Sequence, residues 1–379
     1  MTEDDLSNLP TPSAVIDLER LDANIDAMAR CVDALGVALR PHVKTHKSLE
    51  VAHRVAARSG CRSITVSTLE ELKTFVAGGF DDVMYAVGIV PAKLDAVAAA
   101  MAAGARVSVI LDSAQAAEMV AARGRAMGVD FAVCLELDTD GHRAGIGAGD
   151  PLLLTCADLL QDGGAHLAGV MTHAGESYNC TSIEAIRAMA EQERSLTVEA
   201  AQRLRAAGHT CAIVSVGSTP TATFARHLEG VTEARVGVYV FQDLVMAGLG
   251  VCRPEDVAMT VLTSVIGHQS ARNWIITDAG WMALSGDRGT GGQAADQGYG
   301  MVADLDGRIL DDLIVIAANQ EHGIIADRRG RAVDAAAFPI GTRLRILPNH
   351  ACATAAPYDA YHVVEGRKVS ATWAKSRGW

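Results

Sequence analysis

The stretch VALRPHVKTHK, residues 37–47, starts as a β-rich run and then places Arg40, His42, Lys44 and His46 at every second position. If the strand continues to Lys44, alternate side chains share a face and these four point one way together. Like charges on one buried face repel, so a strand that only packs has no use for this pattern. A lysine desolvated beside cationic groups has a lowered pKa and becomes a nucleophilic amine. The plainer reading is a Lys44 paired with a carboxylate such as Glu136 or Asp138.

Outward from this run, similar strands alternate with Ala/Leu/Glu/Arg-rich segments of helical length: SITV (63–66), DVMYAV (82–87), RVSVIL (106–111), FAVCLEL (131–137), LAGVMTH (167–173), CAIVSV (211–216) and ARVGVYV (234–240). With VALRPHVK that makes eight βα units. They predict an α/β fold, a closed (β/α)8 TIM-type barrel rather than an open doubly wound sheet. No GxGxxG turn follows the first strand, as a dinucleotide-binding sheet would require. Beyond Gly250, runs such as VAMTVLTSVIG, NWIITDAG, DDLIVIAANQ and TRLRILPNH are separated by turns without long helices, which predicts a mainly antiparallel β domain. The expected division is 1–20 as a strand joining the β domain, 21–250 as the barrel and 251–379 as the C-terminal β domain.

The 379 residues carry a formal net charge of -12, which argues against a nucleic-acid or anionic-membrane partner. The opening MTEDDLSNLP is acidic and lacks the apolar core of a targeting peptide, and Lys93, Asp95 and Arg106 interrupt the Ala-rich stretch from Val90 to Leu111. A cytoplasmic protein is expected. Its eight cysteines form no CxxC pair, so neither a disulfide framework nor a zinc ribbon is expected.

In a parallel barrel, chemistry gathers at the C-terminal ends of the strands. There lie Lys44, DTDGHRAGIG (138–147), THAGESY (172–178), VGSTPT (216–221) and RVGVYVF (235–241). VGSTPT and RVGVY look like two halves of a phosphate site, with glycines for close backbone approach and Ser218 and Thr219 as donors. A Gly-Ser-Thr turn by itself is only a turn. Joined to a strand-end lysine, it points to pyridoxal 5′-phosphate, a phosphorylated aldehyde that serves as an electron sink.

TPSAVIDLERLDANI, RPHVKTHK, DTDGHRAGIG, THAGESY, VGSTPT and RVGVYVF occur in the order seen in the alanine-racemase-like, fold-type III pyridoxal-phosphate enzymes. The resemblance covers nearly the whole chain. The sequence is most similar to the D-serine dehydratase and D-threonine aldolase branch, marked by PHxK and a C-terminal metal motif, and within it to the dehydratases of D-threo-3-hydroxyaspartate. The resemblance implies that Lys44 carries the cofactor and is the catalytic base. It implies that Gly217, Ser218, Thr219, Gly237, Val238 and Tyr239 border the phosphate. Arg143 resembles the arginine beside the cofactor's phenolic oxygen, and Arg235 occupies the position facing the pyridine nitrogen in racemases. His173 and Tyr178 are candidates for the cofactor ring or the substrate, or simply for the wall of the barrel mouth. A homodimer is also implied.

In LPNHACAT (347–354), His350 and Cys352 stand at i and i+2, and on a strand they share a face that could grip one soft divalent ion. A bare HxC pair more often means a core cysteine beside a hydrogen-bonded histidine. The resemblance favours a metal, with zinc first and manganese, cobalt or magnesium as other candidates. Elimination must expel hydroxide, a poor leaving group without a Lewis acid. The expected activity is a lyase, an ammonia-lyase (dehydratase) that turns a 3-hydroxy-D-amino acid (D-threo-3-hydroxyaspartate, D-serine or D-threonine) into a 2-oxo acid and ammonia. For an acidic side chain, Arg40, His42, His46 or Arg288 would supply the cation. DAGWMALSGDRG (278–289) and NQEHG (319–323) are expected as loops near the site, with Glu321 and His322 as candidates to orient His350 or simply to form a surface salt bridge. Competing readings are a D-threonine aldolase giving glycine and an aldehyde, an amino-acid racemase, and a noncatalytic pyridoxal-phosphate carrier.

Overall fold

Parallel strands covered by helices on one face and by each other's side chains on the other are buried throughout, and near-continuous apolar runs meet that demand. The computed structural model describes residues 5–379, so the first four residues of the expected N-terminal segment lie outside the described residues. In chain order the strands are β1 (Ser13–Asp17), β2 (Ala38–Pro41), β3 (Ser63–Val66), β4 (Asp82–Gly88), β5 (Arg106–Leu111), β6 (Phe131–Asp138), the two-residue β7 (Ile146–Gly147), β8 (Ala165–Thr172), β9 (Ile213–Val216) and β10 (Glu233–Val236). β11 (Met259–Gln269), β12 (Trp274–Thr277), β13 (Met301–Ala303), β14 (Ile309–Ala318), β15 (Gly323–Asp327), β16 (Arg343–Leu347), β17 (Ala360–Glu365) and β18 (Lys368–Ala374) follow.

The contacts divide the chain into two compact units. One is Asp26–Gly237 with Ser376–Trp379, and the other joins the chain up to Ile25 with Val238–Lys375. In the first, the strands run β2-β10-β9-β8-β6-β5-β4-β3, all parallel, and a single bridge between His42 and Thr65 links the two ends of that path. This is the expected (β/α)8 barrel, nearly closed. Met84, Ile110, Cys134 and Met171, from four successive strands, form one buried cluster. Turns into the helices are set by hydroxyl caps: Thr68, Ser113 and Ser182 each accept the N–H three residues on.

In the second unit the path is β12-β15-β14-β13-β16-β11-β1-β17-β18, with β12 also pairing β11, so six of these strands close into an antiparallel barrel. β1 lies between β11, its antiparallel partner, and β17, its parallel one. Val261, Val265, Ile275, Val302, Val315, Ile325, Leu344 and Ile346 fill this barrel's core.

The first barrel strand is shorter than the alternating pattern predicts. It stops at Pro41, and the last tie to its neighbour is the His42 N–H, which donates to the Val236 carbonyl at 2.7 Å. Nor do the cations of this run stand on one unrelieved face. Arg40 is buried, but it meets Glu233 at 2.8 Å and Asp82 at 2.9 Å and donates to the Ile64 carbonyl at 3.1 Å. Removing one member of a buried pair strands the other, at a cost of about 3–5 kcal/mol. Glu233→Ala is therefore expected to lower the unfolding free energy by about that amount in a denaturant titration, and Arg40→Met/Glu233→Leu to recover a large part of it.

Candidate active site

Lys44 lies outside the strand. Past Pro41 the chain turns into one 3-10 turn, Val43–Thr45, capped by His42, whose Nδ1 accepts the Lys44 N–H at 3.4 Å. The turn leaves Lys44 exposed while His42 and His46 stay buried, so the expected desolvated lysine on a continuous strand face is not what forms. His46 serves packing: its Nδ1 accepts the Ser48 N–H at 3.1 Å, and its ring meets Phe75 edge-on at 6.2 Å. Burial, followed by the charge of Lys44, holds His42 well below the ordinary histidine range. The same two causes bring His173 down to about 3, with Arg235 and Arg143 contributing. Lys44 is thus gathered with two neutral imidazoles and two guanidinium groups.

The VGST segment follows β9. Gly217 has φ +135°, and a Cβ there would stand 2.5 Å from the Arg235 carbonyl oxygen, so only glycine fits. Its carbonyl accepts from His173 Nδ1 at 3.0 Å. Ser218 Oγ is 2.8 Å from Ser177 Oγ and accepts the Thr221 N–H at 3.2 Å, which ties this segment to the THAGESY loop. The Thr219 hydroxyl is buried and has no hydrogen-bond partner among the described residues. A Cβ on Gly237 would come within 3.1 Å of Thr45 Oγ1 and 3.2 Å of the His42 carbonyl. Val238 and Tyr239 follow in the turn Val238–Val240, where both are buried.

Arg235 is buried, donating from Nη1 to Ser215 Oγ at 2.7 Å and from Nη2 to the Thr172 carbonyl. Burial pulls its pKa down, and Glu233, Glu193 and Glu136 pull it back. Arg143 is half exposed and lies 3.5 Å from Glu136, so this carboxylate is matched to Arg143. The Tyr178 and His173 ring centroids are 6.1 Å apart. An amine at the mouth, bare glycine backbone, an unmatched buried hydroxyl and convergent cations suit a phosphorylated aldehyde. The fit rests on these groups of the barrel unit.

In the β unit, His350 and Cys352 do not share a strand face. β16 ends at Leu347, His350 caps the short helix Ala351–Ala355, and Cys352 is that helix's second residue. The two side chains are hydrogen-bonded to each other across the cap. His350 Nδ1 meets Asp287 Oδ2 at 2.6 Å. Buried Asp243 accepts the Ala351 N–H at 2.9 Å and the Met246 N–H at 2.9 Å, which anchors the helix start. Burial works against charge on His350, but the hydrogen bond and charge of Cys352, the charge of Asp243 and the bond to Asp287 lift it to about 10. The imidazole and the thiol are two donors of the kind a borderline-soft divalent cation takes, and among the described residues no group of three or more His, Cys, Asp or Glu side chains is arranged to hold one.

Sequence reasoning missed Asp287 and Asp243 in this cluster. Glu321 and His322, candidates to orient His350 or to form a surface salt bridge, are exposed at the β14–β15 turn, and it is Asp287 that bonds His350. Arg288 is paired with Asp296, over the Tyr299 ring at 5.3 Å.

Two family models match the chain: "Alanine racemase, N-terminal domain" over residues 16–244 and "Putative serine dehydratase domain" over residues 258–364. The chain is 53% identical to the D-threo-3-hydroxyaspartate dehydratase of Delftia sp. (strain HT23), over all of both chains. It is 31% identical to the D-serine dehydratase of Dictyostelium discoideum, over 95% of each. The solved Delftia enzyme superposes with a TM-score of 0.97, covering 99% of this chain and 100% of that one. A cysteine-to-alanine mutant of a D-threo-3-hydroxyaspartate dehydratase in the metal-free form, 52% identical, also gives 0.97 over 99% and 100% of the two chains. Among the described residues no helix is long and apolar enough to cross a membrane.

Proposed function

The chain belongs to the alanine-racemase-like enzymes that carry a serine dehydratase domain, and from that premise we propose that it is a pyridoxal-phosphate- and metal-dependent ammonia-lyase. Its substrate is a 3-hydroxy-D-amino acid, D-threo-3-hydroxyaspartate first, and its products are a 2-oxo acid and ammonia. The observation that carries this reading is the His350–Cys352 pair with Asp287 at 2.6 Å, a donor set that racemisation does not need and loss of hydroxide does.

When bound, pyridoxal phosphate supplies an electron sink for the charge left at Cα. Lys44 Nζ would hold the cofactor at its aldehyde carbon and, once the substrate's amine has displaced it there, would be free to take the Cα proton. Its exposure in a short turn, off the strand ladder, lets the long side chain serve both roles. His173, kept neutral by burial and by the charge of Lys44, donates from Nδ1 to the Gly217 carbonyl, which fixes its ring near Tyr178. Thr219 would offer its unmatched hydroxyl to the phosphate, while Gly217 and Gly237, bare of Cβ, let the backbone of this segment pack closely around it and Ser218 ties the segment to Ser177, with Val238 and Tyr239 following them in the chain. Arg143, Arg235 and Tyr178 complete the surroundings of the ring.

A divalent cation supplies a Lewis acid for the departing hydroxyl. His350 and Cys352 hold it. Asp287 accepts the His350 Nδ1 proton, fixes the tautomer and leaves Nε2 as the ligand atom. Such partners are worth about 10- to 100-fold in metal affinity. Asp287→Asn is therefore expected to weaken zinc binding by about 10- to 100-fold, measured by competition with a chromogenic chelator, with cofactor binding unchanged.

The reading is tested with purified protein, zinc and pyridoxal phosphate against D- and L-3-hydroxy amino acids, measuring both ammonia and glycine. Ammonia and 2-oxo acid from D-substrates alone are expected. Glycine as the main product would replace the dehydratase with an aldolase.

A further inference from the structure

The helix Ile183–Ala206 buries Ile186, Ala190, Thr197, Ala200, Ala201 and Leu204, and in the middle of that stripe it buries Glu193. A carboxylate in this setting needs donors, and it finds them in two different loops. Oε1 accepts the Gly217 N–H at 2.9 Å and the Ala174 N–H at 3.1 Å, and the Thr221 side chain is also hydrogen-bonded to it. Ala174 follows His173, and Gly217 is the first residue after β9. Gly217 is thereby held at both polar groups, its N–H by Glu193 and its carbonyl by His173.

We propose that Glu193 is a positioning residue for the phosphate-binding segment: by taking two main-chain N–H groups from successive βα loops, it fixes where Gly217, Ser218 and the Thr219 hydroxyl stand. The inference rests on the reading of this segment as a phosphate cradle. Glu193 meets the segment through the Gly217 N–H and the Thr221 side chain, so its effect would reach a ligand through the loop. It follows that the residue matters for the phosphate and not for the aldehyde that meets Lys44.

Full-length apoprotein is titrated with pyridoxal phosphate and, separately, with pyridoxal, which lacks the phosphate. Glu193→Ala leaves two buried N–H groups unmatched and is expected to weaken pyridoxal phosphate by about 10- to 100-fold and pyridoxal by less than about 3-fold. Glu193→Gln keeps an oxygen able to accept both bonds and is expected to stay within about 3-fold of the parent for both ligands. Should Glu193→Ala not fold, Glu193→Asp decides on the same ratio, because its shorter arm cannot reach both loops. Equal losses for the two ligands, or an unchanged affinity for pyridoxal phosphate, overturn the proposal. Failure of the parent protein to favour pyridoxal phosphate over pyridoxal would instead overturn the cradle itself.

Discussion

Replacing Lys44 by alanine is expected to lower ammonia formation at least about 10³-fold, because one side chain serves as both anchor and base, and a positioned base alone contributes about 10²–10⁴-fold. Stability should hardly move. Lys44 is exposed in a three-residue turn, and substitutions at such surface positions usually stay within about 0.5 kcal/mol. Activity and unfolding midpoint, measured on one preparation, therefore separate chemistry from folding. Borohydride reduction of the parent protein with its cofactor, followed by peptide mass spectrometry, should find the pyridoxyl group on Lys44. A variant that keeps a tenth of the parent's activity, or an adduct on another lysine, would end the assignment.

Stripping the metal, or replacing Cys352 with alanine, is expected to cost ammonia release about 10³-fold, since Lewis-acid assistance is worth several kcal/mol and each 1.36 kcal/mol is tenfold. The cofactor's visible absorbance should persist, because the groups assigned to it on the barrel unit are untouched. Restoring zinc should rescue the chelated parent and not the variant. Undiminished ammonia release after exhaustive chelation would remove the metal from the reaction. Against the pull of burial, Cys352, Asp243 and Asp287 raise the His350 pKa to about 10. Metal uptake there displaces a proton and should strengthen as pH rises, consistent with ligands that bind deprotonated.

The barrel was legible because its strands are short apolar runs alternating with segments of helical length, a pattern set by burial on both faces. The ends were less so. Arg40, His42, Lys44 and His46 keep the two-residue period of a strand after Pro41 has ended it, and alternation in sequence does not reveal that the backbone has turned. The same limit applies to His350 and Cys352, which the i, i+2 spacing put on a strand and which a helix start brings together. Their partners were harder still. Asp243 and Asp287 are far from the motif along the chain, and folding alone brings them to it. Asp287 carried one weak signal, its place in the turn-rich SGDRG. Glu193 carried a better one: it interrupts an apolar stripe at helical spacing, where a charge has no place unless something is waiting to bind it.

The placement of β1 between β11 and β17 sets a schedule on the ribosome. The segment Ser13–Asp17 is translated early, yet neither neighbour exists until the chain has grown past Met259 and then past Ala360. At about 5–20 residues per second, that is a wait of roughly ten seconds to a minute for an apolar strand with nothing to pair with. Over that wait its unpaired N–H and C=O groups are open to wrong pairing, and N-terminal deletions through Asp17 would leave two raw sheet edges facing each other across an empty slot.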